Sequence, residues 1–475
     1  MKGVLSLYSP RFSRTVVYML QASEYDVAAY LNWLLRTDDF SRVMHRKQLV
    51  VTKPAGLLLA FMRLGMLAQL VFAAYLFQRN IHMAVIELIF LVLFVLSAPV
   101  VWANLVVVPL VLGRWLIIRP YHLVRVRASK KGFAGHQAVK IAVAGSYGKT
   151  TMKEILLAVL SEGKKVAATP ANKNVAISHA NFARSLSGDE DVLIIEYGEG
   201  APGDIKRFTK ITQPDIGIIT GLAPAHLDKY KTLQKAGEDI FSLADYLGGK
   251  NVYVNTEADG VKSFIKPGYL LFNSQKAGDW TVEGIKVSLD GLSFKIQKGD
   301  KVLQIKSRLL GKHQVAPLAM AAVLADRLGL SERQIEKGVT KVPAFEHRMK
   351  PYQLSGAWII DDTYNGNIEG MKAGLELLKN LPAKRKIYVT PGLVDQGAES
   401  GKIHRELGSE IAKAAPDLVV LMKHSVTDDI VEGLGDFKGQ VVIEDDPLNF
   451  YTNLDKLVAA GDLLLMQNDW PDNYK

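Results

Sequence analysis

The sequence predicts an α/β protein. A P-loop central domain on a mostly parallel sheet is followed by a Rossmann-like α/β domain, and an α-helical transmembrane hairpin precedes both. Three observations carry this. The stretch Ile141-Ala-Val-Ala-Gly-Ser-Tyr-Gly-Lys-Thr-Thr151 runs from an apolar strand through a glycine-bearing loop, and a helix-compatible segment, Met152 to Leu160, follows. Beyond it, short apolar runs alternate with helical spacing, as in a parallel sheet covered on both faces. Ahead of it lie two apolar runs long enough to cross a bilayer.

In the loop, backbone N–H groups and the dipole of the following helix would hold a polyphosphate. Gly145, Ser146, Tyr147, Gly148, Lys149, Thr150 and Thr151 form the expected cradle. Lys149 would reach the terminal phosphates and the Thr150 hydroxyl would ligate Mg²⁺. Val143 stands where the longer P-loop pattern has its first glycine, so the loop is the short G-x-x-G-K-T-T form. A glycine-rich turn with a surface lysine is the plainer alternative, which the order of strand, loop and helix disfavours.

A chain of 475 residues calls for two or three domains. It has no cysteine, which excludes disulfides, thiolate zinc sites and cysteine nucleophiles and agrees with a cytoplasmic catalytic part. The net charge of +10 could suggest nucleic acid. Much of the excess lies near the apolar N-terminal region, so membrane lipid is the expected partner and nucleic acid is not.

Residues 1–53 read as a small helical pre-domain without a signal-peptide cleavage pattern; Tyr25 to Leu35 has apolar residues at helical spacing. Residues 54–131 read as a transmembrane hairpin and a basic juxtamembrane linker. Leu57 to Phe77 is apolar apart from Arg63, placed to snorkel, and Gln69. Ile81 to Leu112 is longer, and Pro99 and Pro109 suggest a re-entrant or interfacial piece. Arg42, Arg46, Lys47 and Lys53 precede the first run; Arg114, Arg119, Arg125, Arg127, Lys130 and Lys131 follow the second; only Arg79 lies between. The positive-inside rule then puts both ends, and the catalytic domains, on the cytoplasmic side of the cell membrane. A buried hairpin in a soluble protein is the alternative.

Residues 132–343 form the expected central domain, with strands at Val139–Ala144, Val192–Tyr197, Ile216–Thr220 and Val252–Asn255. Residues 279–309, punctuated by Asp290-Gly291 and Lys298-Gly-Asp300, suggest a small antiparallel insert, and Val315 to Leu328 a helix. Residues 344–475 form the second α/β unit. Its expected strands are Trp358–Asp361, Ile387–Thr390, Leu418–Met422, Val441–Ile443 and Leu463–Met466.

Glu196 ends one predicted strand and His226 follows another, which puts both on the sheet edge that carries the phosphate loop. A carboxylate and an imidazole there could hold one or two Mg²⁺ ions. Either residue alone is more often solvated or structural than a ligand; the shared edge reverses that.

Over roughly residues 135–470 the chain resembles the Mur ligases, and among them the MurF type. The resemblance rests on Gly145–Thr151, Thr169-Pro-Ala-Asn-Lys-Asn174, Glu196-Tyr-Gly-Glu-Gly-Ala-Pro-Gly-Asp-Ile205 and Pro214–Asp228. It also rests on Ile359-Ile-Asp-Asp-Thr-Tyr-Asn-Gly-Asn367 and on Gly397-Ala-Glu-Ser400 with His404. It implies ATP-dependent amide formation through an acyl phosphate, with a muramyl-peptide acceptor and an amino-acid or dipeptide amine such as D-alanyl-D-alanine. It also implies that Thr150, Glu196 and His226 hold Mg²⁺, that Asn172 lies near the phosphates, that Arg348 reaches them from the second domain, and that Asp362 holds the ribose. Lys149, His226 and Arg348 are the implied catalytic residues.

The chain departs from the family pattern in four places. The lysine that the family carbamylates for a second metal falls at Ile240 without gaps, or at Ala236 when Gly237-Glu238 is aligned; Lys235 is out of register. Pro317 replaces an adenine-contacting Asn, and Gln467-Asn-Asp469 replaces Lys-Gly-Ser. Membrane-like sequence stands in place of the UDP-gripping domain. Two further readings stay open: a catalytically weak homologue acting as a membrane scaffold, and a polyglutamate- or cyanophycin-type ligase.

Overall fold

The computed structural model describes residues 7–23, 25–37, 40, 49–80, 82–171, 173–223, 227–257, 259–364, 366–394, 396 and 399–468. Asn172 and His226 therefore lie outside the described residues. The chain divides into two compact units, one running to Val124 and the other from Arg125.

In the first unit, α1 (Pro10–Ala22) begins with the Ser9 side chain accepting from Phe12 N, and α2 (Val27–Arg36) with Asp26 accepting from Ala29 N. Then come α3 (Lys53–Arg79) and α4 (Val85–Leu105). Gly65 lets these two helices touch: a Cβ there would lie 2.2 Å from the Trp102 ring. Trp102 Nε1 donates to Gln69 Oε1 at 2.8 Å, and Gln69 Nε2 donates to the Phe94 carbonyl at 2.7 Å. Polar groups on apolar helices are thus satisfied pairwise. Arg63 donates to Ser13 Oγ at 3.0 Å and to the Pro10 carbonyl at 3.3 Å.

Pro99 lies inside α4 instead of marking a re-entrant loop. Its ring removes the N–H that would serve the Val95 carbonyl, and the Tyr8 hydroxyl donates to that carbonyl. Helical backbone continues through Val107–Gly113, which holds Pro109, and a π-helical turn over Arg114–Ile118 into α5 (Arg119–Gly135). The expected basic linker is therefore helix. By length and composition, Lys53–Arg79 and Val85–Gly135 are long and apolar enough to cross a membrane. Leu67, Val71, Ile86 and Phe90 along them are exposed.

The second unit holds two sheets. The first carries six parallel strands in the order β2-β3-β1-β4-β5-β6. They are β1 (Val139–Ala144), β2 (Val166–Ala168), β3 (Val192–Glu196), β4 (Ile216–Ile219), β5 (Val252–Asn255) and β6 (Leu270–Phe272). Four of these match the sequence expectation within a residue; β2 and β6 were not anticipated. The antiparallel segment is not a separate insert. Through the pairing of Phe272 with Ala277, β7 (Lys276–Ala277), β8 (Trp280–Ser288), β9 (Gly291–Lys298) and β10 (Lys301–Ser307) extend the same sheet to ten strands. The reason is apolar: Trp280, Phe294, Ile296, Leu303 and Ile305 share one core with Ile141, Val143 and Ile194.

Helices cover both faces. One face takes α6 (Lys149–Leu160), α10 (Val315–Arg327) and α11 (Glu332–Thr340); the other takes α7 (Ala176–Ser185), α8 (Asp204–Thr212), α9 (Leu233–Tyr246) and, from α5, Val126 and Phe133. Because β1 lies between β3 and β4, the winding reverses there, and the carboxyl end of such a strand is where open α/β sheets bind ligands.

The second sheet runs β11-β12-β16-β13-β14-β15, parallel except for β11 at one edge. Its strands are β11 (Lys350–Leu354), β12 (Ala357–Asp362), β13 (Arg385–Thr390), β14 (Leu418–Met422), β15 (Gln440–Glu444) and β16 (Asp462–Gln467), with α12 (Ile368–Asn380) and α13 (Ser400–Ala414) among its helices. The other edge, β15, leaves Val441, Val442 and Ile443 exposed.

Candidate functional site

The loop after β1 is clamped by the end of β4. Gly145 has φ +140°, and a Cβ on it would meet Thr220 Oγ1 at 2.3 Å, so only glycine fits. Thr220 N donates to the Ala144 carbonyl at 2.9 Å, the Thr220 hydroxyl donates to the Tyr147 carbonyl, and Ser146 N donates to the Gly221 carbonyl at 3.0 Å. Gly148, with φ +70°, turns the chain into α6, which begins without a capping side chain. Its first N–H groups are left to a ligand, as an anion site requires.

Charged side chains meet at this loop. Lys149 Nζ donates to the Gly145 carbonyl at 2.6 Å and lies 2.9 and 2.7 Å from the two carboxylate oxygens of Glu199. Glu196, at the carboxyl end of β3, accepts from Thr150 Oγ1 at 3.0 Å and from Asn174 Nδ2 at 3.2 Å. Its other oxygen lies 3.2 Å from Lys153 Nζ, and Lys153 is fully buried. Lys153 also donates to the Ala171 carbonyl. The backbone of Glu196 is held too: its N–H donates to Thr169 Oγ1 at 3.1 Å, and its carbonyl lies 2.8 Å from His179 Nε2. Burial lowers His179 to about 4, so the ring is neutral at physiological pH and Nε2–H is the donor.

On the second sheet, Arg348 stands between two non-glycine residues in left-handed backbone, His347 (φ +57°) and Met349 (φ +49°). Such conformations are sparsely populated and cluster at functional sites. The Arg348 guanidinium lies 4.2 Å from the centre of the Tyr364 ring, a cation–π contact. His347 Nδ1 lies 2.8 Å from Asp361 Oδ2. Asp362 accepts from Met349 N at 3.2 Å and from Gln467 Nε2 at 2.8 Å. Burial pushes Asp362 up to about 7, against those hydrogen bonds and the Arg348 charge. Asn468 ties the strand ends together, accepting from Gly366 N at 2.6 Å and donating to the Gly392 carbonyl at 2.6 Å. His404 is structural: its Nε2 accepts from Leu393 N at 2.9 Å and its Nδ1 lies 2.7 Å from the Ser400 carbonyl. The two sheets present their loops to each other. Burial raises the Tyr147 hydroxyl, and Glu369, in the first turn of α12, is near enough for its charge to add to the effect.

The structure thus joins Gly145, Ser146, Tyr147, Gly148, Lys149, Thr150, Thr151 and Glu196 in one site, and it sets Arg348 beside Asp362. No group of three or more metal-ligating side chains occurs among the described residues. The donors present nonetheless suit Mg²⁺, which takes hard oxygens, keeps waters and needs few protein ligands when phosphates supply the rest. Ile240 and Ala236 are both buried in the apolar core around α9, and Lys235 is exposed, so the second-metal lysine has no counterpart there. Sequence reasoning missed Lys153, Asn174, Glu199 and Gln467. One signal was available for Lys153: four residues after Lys149, it falls on the same face of α6.

Fold and site define a two-domain P-loop protein built to hold a polyphosphate ligand. A Mur ligase middle-domain model matches residues 143–325, and a Mur ligase glutamate-ligase-domain model matches residues 347–467. Together they cover more than half of the chain, which belongs to the Mur ligase family. The UDP-N-acetylmuramoyl-tripeptide–D-alanyl-D-alanine ligase of Escherichia coli is 30% identical over 285 residues, which is 58% of this chain and 62% of that relative's length. MurF from Acinetobacter baumannii aligns with TM-score 0.66 and 21% identity over 73% of this chain and 77% of its own. Thermotoga maritima MurF, solved with ADP, aligns with TM-score 0.64 and 21% identity over 73% of this chain and 80% of its own. These two structures speak to the fold.

Two outcomes follow from the site's geometry. Lys153→Met strips Glu196 of its buried counter-charge and should cost about 3–5 kcal/mol of stability. Adding Glu196→Gln should recover much of that in urea unfolding; a single variant as stable as wild type would contradict the buried pair. Asp362 titrates from an ordinary 3.8 to about 7 on folding. The folded state then binds more protons between those values, so stability falls as pH rises from about 4 to about 7 and is flat above. Asp362→Asn should remove that slope, and thermal melts across this range would read parallel curves if the carboxyl were unperturbed.

Proposed function

We propose that the chain is an ATP-dependent carboxylate–amine ligase of the MurF type, acting in peptidoglycan precursor synthesis. It would add D-alanyl-D-alanine, or a similar amine, to a muramyl peptide. The observation that carries this is the binding of Lys149 and Thr150, at the start of α6, to Glu199 in the loop after β3 and to Glu196 at the end of β3, in a chain that bears both family domains. The ADP in the Thermotoga maritima MurF structure agrees with a nucleotide at this loop.

In this reading the loop N–H groups and the start of α6 bind the phosphates. Lys149 and Arg348 offset the charge that develops during phosphoryl transfer, where electrostatic stabilisation is the main demand. Asp362 accepts from the ribose hydroxyls. Thr150, Glu196 and His226 would hold Mg²⁺, which when bound neutralises phosphate charge, and Asn172 would lie near the phosphates. The acceptor carboxylate takes the γ-phosphoryl group and ADP leaves. The amine nitrogen then attacks the acyl carbon, phosphate departs with the C–O electron pair, and the amine proton passes to solvent or a base. The core position of Ile240 and Ala236 is the observation that favours a catalytically weak scaffold instead. The complete Lys149, Glu196 and Arg348 set weighs for the enzyme.

We also propose that α3 and the helix beginning at Val85 anchor the protein in the cell membrane with its catalytic domains in the cytoplasm. No acidic residue occurs between Glu87 and Glu154, so the basic run from Arg114 to Lys131 would sit well at an anionic headgroup layer.

Purified protein should sustain multiple-turnover ADP release only with both acceptor and amine present, and mass spectrometry over nucleotide-linked and lipid-linked muramyl peptides should find one ligated product. Amine-independent ATP turnover, or none, would favour the scaffold. Lys149→Ala should lower turnover about a hundredfold or more. Its melting temperature should fall as well, since Glu199 loses its partner, so rates are compared well below the melt; near-native turnover would remove Lys149 from the chemistry. The full chain should stay with membranes through alkaline carbonate washing, and a chain lacking residues 1–113 should not. Release of the full chain by that wash would refute the anchor.

A further inference from the structure

The buried charges at the phosphate loop cancel. Lys149 and Lys153 bring two positive charges, and Glu196 and Glu199 bring two negative ones. The side chains of Lys153, Glu196 and Glu199 are 0, 1 and 4% exposed, and that of Lys149 is 12% exposed. Each lysine is already engaged, Lys149 by Glu199 and the Gly145 carbonyl, Lys153 by Glu196, the Ala171 carbonyl and, at 3.3 Å, the partly exposed carboxylate of Glu154, which adds to the negative side. A bare polyphosphate entering here would meet willing N–H groups but no uncommitted ammonium on α6. It would also approach two carboxylates in a poorly solvated place, where like charges repel far more strongly than in water.

Glu199 does not arrive by chance rotation of a free loop. The segment that carries it is pinned: Tyr197 N donates to the Val143 carbonyl at 2.9 Å, and Gly198 N donates to the Asn174 carbonyl at 2.9 Å. A Cβ at Gly198 would lie 2.5 Å from Asn174 Oδ1, so the backbone lies close against the side chain that also serves Glu196. The carboxylate is therefore delivered to Lys149 by the fold itself.

We propose that Glu199 is a specificity-determining residue of the phosphate site. It neutralises Lys149 in the nucleotide-free protein, and it makes nucleotide binding conditional on a divalent cation that arrives with the phosphates and offsets the carboxylate. A metal-free nucleotide is refused because displacing Glu199 leaves a buried negative charge unpaired. A cation-bearing nucleotide is accepted because the charge sum is restored. This rests on the nucleotide-binding reading given above and adds the means by which the loop discriminates.

The test is ATP binding to the full chain, by calorimetry, in excess EDTA and in Mg²⁺. Wild type should bind in Mg²⁺ and at least about tenfold more weakly in EDTA, a coupling of ordinary size. Glu199→Gln keeps the shape and removes the charge, so its affinity in EDTA should rise about tenfold or more over wild type, closing the gap. Glu199→Asp draws the carboxylate back by one methylene and should move the EDTA affinity in the same direction by less; it decides the matter if the Gln variant does not fold. An EDTA affinity unchanged from wild type in the folded variant overturns the proposal. So does loss of binding in Mg²⁺ with no gain in EDTA, which would make Glu199 a servant of the cation alone. Failure of wild type to bind ATP in Mg²⁺ is a different result and defeats the nucleotide reading itself.

Discussion

A carboxylate buried at the end of a parallel strand must be compensated, and the compensation of Glu196 organises the central domain. Uncompensated burial of such a charge would cost several kcal/mol. Two segments answer the carboxylate itself, α6 through Thr150 and Lys153 and the loop after β2 through Asn174; Thr169 and, on α7, His179 hold the backbone N–H and carbonyl of the same residue. None of these can shift without breaking a contact to the same residue. The phosphate loop, the strand end beside it and the helix behind it are consequently one rigid object. Gly145 wedged against Thr220 adds β4 to the assembly.

The second sheet solves a related problem differently. Asp362 is less completely covered than Glu196 and is not offset by a lysine; Gln467 and the Met349 N–H serve it, and desolvation pushes its carboxyl up to about 7. One domain therefore offers charges already matched, and the other offers a group whose charge state sits close to physiological pH. A ligand spanning both would be gripped by fixed electrostatics on one side and by an adjustable hydrogen-bonding group on the other.

Much of this was legible in the sequence, for reasons that differ by element. The phosphate loop can be read because its chemistry needs contiguous residues, and β1, β5 and β14 because buried parallel strands are unbroken apolar runs. Strands β2, β6 and β11 are short or lie near an edge, where apolar content is too slight to stand out. The antiparallel run was recognised, but its attachment was not, since partner choice depends on a neighbour such as Phe272 and not on the segment itself. Long-range polar partners were the main blind spot. The bond from Gln467 to Asp362 joins positions 105 residues apart, and the pairing of Glu199 with Lys149 joins positions 50 apart. The missing lysine was legible as a gap in the pattern; that both possible positions are core positions was not.

The β15 edge has a consequence for how the molecule behaves in a crowd. Val441, Val442 and Ile443 form an apolar strip on the last strand of an otherwise complete sheet, with main-chain groups on its outer side available for pairing. An exposed apolar edge of this kind invites a second copy to add itself, and then a third. Directly after it the chain reads Glu444-Asp445-Asp446, of which Asp445 and Asp446 are exposed. A second copy added in parallel register would set its acids against these, and repulsion would oppose that join, less so at Asp445, which lies 2.8 Å from Lys423 Nζ. Acids beside an exposed edge are the kind of charge that discourages such stacking.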